Sequence, residues 1–85
     1  MADSVRRHRE AADRHEQTAA RHDDAAVFWV ARHDAARADL HRDAAAHERG
    51  GAALERRWAA LIAAETPDAQ GSGDGEDDAP ATEAT

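Results

Sequence analysis

Small and histidine side chains recur along one helical seam at strict spacing, and this constrains the chain more than any other feature. Val5, His8, Ala12, His15, Ala19, His22, Ala26 and Trp29 are separated by alternating steps of three and four residues. That spacing keeps one face of an α-helix turned toward a partner helix. With Val5 taken as heptad position a, the first three histidines fall at d, Ala12, Ala19 and Ala26 at a, and Ala11, Thr18 and Ala25 at g. A second stripe follows: Ala36, Leu40, Ala44, His47, Gly51, Leu54, Trp58 and Leu61. It keeps phase across Gly50-Gly51, so a kinked or weakened helix is expected there and not a break, although each glycine costs about 1 kcal/mol relative to Ala.

Between the stripes, Arg32-His33-Asp34 is the expected turn, with Asp34 able to N-cap a second helix. Asp3 or Ser4 can cap the first helix and Pro67 stops the second. The expected helices, about 4–31 and about 35–65, are close in length, roughly 42 and 46 Å. The expected fold is therefore all-α: an antiparallel helical hairpin over 1–66, its second helix kinked near Gly50-Gly51. A single long helix would need a coiled-coil partner over its whole length.

Composition changes at Thr66-Pro67. Ala supplies 24 residues of the 85, 20 of them in 1–66, and Lys, Asn, Tyr and Cys are absent. Residues 67–85 carry both prolines, three glycines and no large apolar side chain; a disordered acidic C-terminal tail is expected. The net charge of −7 sits mostly there: 1–66 set 11 Arg against 12 carboxylates, whereas 67–85 hold six carboxylates and no base. The absence of Cys excludes disulfides and thiol catalysis. No apolar run is long enough for a membrane span, and the charged N-terminus lacks a signal-peptide core, so a cytoplasmic protein is expected.

The body has ten large apolar residues: Val5, Val27, Phe28, Trp29, Val30, Leu40, Leu54, Trp58, Leu61 and Ile62. In an antiparallel pair Val27 to Val30 meet Leu40 beside the turn, and Val5 meets Trp58, Leu61 and Ile62 at the open end. These ten form the expected interaction core. Two helices bury too little apolar surface to stand alone, so a homo-oligomer, most simply a dimer of hairpins, is the expected state, with a helical protein partner as the other possibility.

The six histidines allow metal binding or a pH response. Histidines seven apart on one helix are about 10.5 Å distant, too far to share an ion. A candidate metal set is His22 with Asp43 and His47, the last two at i,i+4 on the facing helix. No HExxH, CxxC or Glu-x-x-His occurs, and no metal or other cofactor is expected. Protonating all six histidines would move the charge from −7 toward −1 and place three charges in the first seam, so weaker association is expected as pH falls. The only serines, Ser4 and Ser72, offer no triad, and no catalytic residue is expected. Arg6-Arg7-His8-Arg9 and Arg56-Arg57 would gather at the open end as a small basic patch, but acids lie within a turn of most, and nucleic acid is not the expected partner.

The phrases RHEQTAARHDDAAVFW and GGAALERRWAALIAAE resemble small Ala/Arg/Glu-rich helical proteins of actinobacteria, a resemblance that implies a helical body but no particular activity. Trp29-Val30-Ala31 departs from the secreted hairpins with a Trp-x-Gly turn, since Gly is missing and their Tyr-based export signal cannot exist without Tyr. The function expected is a non-catalytic structural or protein-interaction module that self-associates. The alternative is a histidine-based metal-binding or pH-responsive protein.

Overall fold

The computed structural model describes residues 2–65; the expected acidic tail lies outside the described residues. Two helices, α1 (Ala2–Ala31) and α2 (Ala35–Glu65), pack antiparallel as a hairpin of 55 × 17 × 12 Å. Ala, Arg, Glu and Leu favour helix throughout, and no proline interrupts either segment. α1 begins two residues earlier than expected. Asp3 thus lies inside its first turn, where its charge favours the helix N-terminus and its carboxylate pairs with Arg6 at 3.0 Å.

The turn is built from the residues expected. The His33 N–H donates to the Val30 carbonyl and the Asp34 N–H to the Trp29 carbonyl, both at 3.0 Å. This pair of bonds closes α1 as a Schellman motif with His33 at the left-handed position, φ 59°. Asp34 then caps α2: its Oδ1 accepts from the Arg37 N–H at 2.9 Å and its Oδ2 from the Arg37 guanidinium at 2.6 Å. The backbone bond first and the side-chain bond second hold the Asp34 carboxyl below its ordinary value. Glycine usually occupies the position of His33. His33→Gly is expected to stabilise the hairpin by about 0.5–1 kcal/mol, a Tm rise of roughly 3–6 °C by circular dichroism.

The helices close on alanine. Ala12, Ala19 and Ala26 of α1 meet Ala38, Ala45, Ala52, Ala59 and Ala63 of α2, and these eight are the buried hydrophobic residues of the hairpin. This corrects the expected core. Seven of the ten large apolar residues lie outside the seam, with Val27 71% and Leu40 68% exposed, and Phe28, Val30, Leu54, Trp58 and Leu61 about half exposed. Val5, Trp29 and Ile62 are partly covered at the two ends. Of the α2 stripe expected to line the interior, Leu40, His47, Leu54 and Leu61 are exposed, while Ala44, Gly51 and Trp58 lie along the edge of the seam. The stripe's place is taken by Ala38, His41, Ala45, Glu48, Ala52, Glu55, Ala59 and Ile62, again in steps of three and four.

α2 runs unbroken through Gly50-Gly51. Gly51 faces α1: a Cβ there would come within 3.1–3.2 Å of three ring atoms of His15. The missing side chain makes room for that imidazole. A Cβ on Gly50 would meet nothing within 4 Å, so no contact within the hairpin explains this glycine.

Candidate functional site

Alternating with the alanine layers are three polar rungs that cross the seam. His8 Nδ1–H donates to Glu55 Oε1 and His15 Nδ1–H to Glu48 Oε1, each at 2.6 Å. His22 Nδ1 and His41 Nδ1 lie 2.9 Å apart. The α1 partners step up by seven residues while the α2 partners step down by seven, as an antiparallel heptad register requires. Alanine neighbours let the helices approach closely and leave lateral room for each ring. His8 also stacks on Trp58, with ring centroids 6.1 Å apart and planes at 15°.

The rungs differ electrically. In the lower two a carboxylate accepts from an imidazole, and protonating that imidazole adds an ion pair. The His15 bond is the main cause holding the Glu48 carboxyl below its ordinary value, opposed by burial and helped by the nearby His15, His47 and His22 rings. In the third rung two imidazoles share one proton: one ring donates and the other must accept. When both carry a second proton, two donors and two positive charges face each other.

The expected metal set does not assemble. His22 meets His41, while Asp43 and His47 project into solvent. The one-residue offset between the expected and observed α2 seams, about 100° around the helix, places them outside it. Among the described residues no group of three or more His, Cys, Asp or Glu is placed to hold an ion, and two imidazoles alone leave a tetrahedral cation half-coordinated.

The two flanks of the seam are also unlike. One carries the inter-helix ion pairs: Arg49 with Asp23, and Arg56 with Glu16 at 2.9 Å and Asp13 at 3.3 Å. These bonds raise both guanidinium pKa values. Exposed pairs of this kind add little stability, but opposite charges at these positions help set the register. Arg56, part of the expected basic patch, is therefore occupied, and Arg6 pairs with Asp3 and more distantly with Glu10. The other flank is small and apolar: Ala11, Thr18 and Ala25 of α1 beside Ala44, Gly51 and Trp58 of α2. No ion pair crosses it among the described residues. At the turn, Arg32 lies 3.5 Å over the Phe28 ring and Arg37 5.1 Å from that of Trp29, so cations partly cover the aromatic pair.

No helix among the described residues is long and apolar enough to cross a membrane. A scan against protein-family models and searches of curated proteins and of solved structures match nothing to this chain.

Proposed function

We propose that the protein is a non-catalytic interaction module whose hairpin is a rigid carrier for exposed apolar side chains, and that it self-associates. One observation carries this reading: the fully buried hydrophobic residues of the hairpin are all alanine, while seven large apolar residues remain exposed. A chain that needed those residues only for its own fold would turn them inward, since burying each would contribute about 1.5–3 kcal/mol. The arrangement also lacks the parts of a reaction centre. The seam holds no hydroxyl or thiol nucleophile, and each rung is closed by its own partner across the helices.

Sedimentation velocity of the full chain tests this. Concentration-dependent association is expected between about 1 and 100 μM. A single monomeric species over that range would overturn the proposal.

A second reading, a pH-responsive binder, is favoured by the His22–His41 rung, which demands that at least one of the two facing nitrogens be unprotonated. It is compatible with the first, because loosening the seam would alter whatever surface the hairpin presents.

A further inference from the structure

The flank of the seam that no ion pair crosses carries a row of cations at its outer edge. Arg7, Arg14 and Arg21 follow one another along α1 at steps of seven residues, all exposed, so neighbours are about 10.5 Å apart and the row is about 21 Å long. Between this row and the seam lie Ser4, Ala11, Thr18 and Ala25. Across the seam follow Ala44, Gly51 and Trp58, then Leu40, His47, Leu54 and Leu61. None of these bears a carboxylate. Among the described residues Arg7 and Arg14 make no ion pair, and the Arg21 guanidinium has the Thr18 hydroxyl as its partner at 3.0 Å. The acids of the adjoining α1 row are Asp3, Glu10 and Asp24, of which the first two are taken up by Arg6. On the α2 side of this flank the first carboxylate is Glu65, at the end of the helix. From there the chain runs on with Asp68, Asp74, Glu76, Asp77, Asp78 and Glu83 and no base.

We infer that the acidic segment 68–78 docks along this row, its carboxylates paired with Arg7, Arg14 and Arg21 of the same chain. Position, reach and charge agree. Glu65 stands in the same row of α2 as Trp58, Gly51 and Ala44, so the chain continues from the cationic flank. Because His8 meets Glu55 across the seam, Arg7, Arg14 and Arg21 lie about 14, 24 and 35 Å along the hairpin from Glu65. At about 3.3 Å per residue, Asp74 can lie up to about 30 Å from Glu65 and Asp78 up to about 43 Å. The acidic cluster therefore reaches the whole row. No side chain from 67 to 85 is large and apolar, so the segment suits the arginines and leaves Leu40, Leu54 and Leu61 open. Tied to the hairpin, it meets the row at an effective concentration on the order of millimolar, where exposed pairs too weak to hold separate molecules act together. The consequence is selectivity. A row that would attract other polyanions is covered, and the hairpin offers a partner its leucines instead. The inference does not depend on the self-association proposed above.

Paramagnetic broadening in the full chain tests the docking. The sequence has no Cys, so Ala79→Cys accepts a single neutral nitroxide beside Asp78. At low salt the label is expected to broaden the amide resonances of Arg14, Thr18 and Arg21 more than those of Ala46 and Ala53, which lie at comparable heights on the other side of α2. That preference is expected to vanish between about 0.01 and 1 M salt, as the screening length falls from about 30 to 3 Å. It is also expected to vanish in Arg7→Gln/Arg14→Gln/Arg21→Gln, with helicity retained because Gln and Arg are similar helix formers. Equal broadening of the two sides at low salt, or a preference that survives high salt or the triple substitution, would overturn the inference. A mixture of nitroxide-bearing chain with isotopically labelled, unmodified chain reports contacts between copies. Broadening there as strong as within one chain would give the row to a second copy's segment and overturn the inference as stated.

Discussion

Ala19→Leu is expected to lower the Tm by roughly 10–20 °C, while Val27→Ala leaves it within a degree or two at the same protein concentration. In most small proteins large-to-small changes do the damage; here the order is inverted. Ala19 is 0% exposed between helices held close by alanine on both sides, so three added carbons must push the helices apart or force a strained rotamer, at about 2–3 kcal/mol. Val27, at 71% exposed, has little burial to lose. Circular dichroism melts of the two variants decide it. Equal effects, or a larger effect at Val27, would mean that the hairpin is not closed by its alanines.

The second large effect is with acid, and it separates the rungs. His41→Gln is expected to destabilise the hairpin at pH 7.5, where the imidazole pair shares a proton, and to cost nothing or even stabilise at pH 5.5. Over that interval an ordinary histidine gains charge, and a second proton on this pair would set two donors and two positive charges face to face 2.9 Å apart. The groups around this rung are His41 across the seam, the Asp23–Arg49 pair on its flank, and Glu48 one rung below. None supplies an acceptor to a doubly protonated pair. His8 and His15 do not share this liability, because Glu55 and Glu48 accept from them. Only one of the three charges expected in the α1 seam is therefore unfavourable, and weaker association at low pH would originate at His22.

A separate loss belongs to Glu48. Its folded-state pKa lies below the ordinary value of 4.5, so its contribution is complete above about pH 4.5 and disappears as pH falls through the folded value. Glu48→Gln is expected to flatten the melting profile below pH 4.5 while leaving the His41-dependent change above it. Tm measured from pH 3 to 8 for both variants checks the assignment; a profile for His41→Gln parallel to wild type between 7.5 and 5.5 would remove the shared-proton rung as an acid sensor.

Much of the fold was legible because its signals are local. The α1 seam follows from spacing alone, and Arg32-His33-Asp34 announces itself through the capping residue. The rotation of α2 was not legible by the same logic. Hydrophobicity points to Leu40, Leu54, Trp58 and Leu61, and that stripe exists, but it is the wrong one for α1. The deciding signal is quieter: Ala38, Ala45, Ala52 and Ala59 repeat strictly every seven residues, and Glu48 and Glu55 repeat at the same step. Read backward, they supply acceptors for His15 and His8. Geometric fit between small side chains and the pairing of polar groups outweighed apolar area, and a hydrophobic ranking cannot register either. The metal candidates His22, Asp43 and His47 failed for the same reason, since their meeting depended on the face of α2.

A seam of alanine also sets the thermal character of the hairpin. The heat capacity released on unfolding scales with the apolar area newly wetted, about 0.45 cal/mol/K for each Å². Methyl groups expose little of it, so the increment per residue should fall below the roughly 12–15 cal/mol/K of ordinary globular domains. Its stability curve is then shallow, with a broad transition on heating and little tendency to unfold in the cold. Such a hairpin holds its shape over a wide span of temperature, whereas any contact made through its exposed leucines and Trp58 weakens as the solution cools.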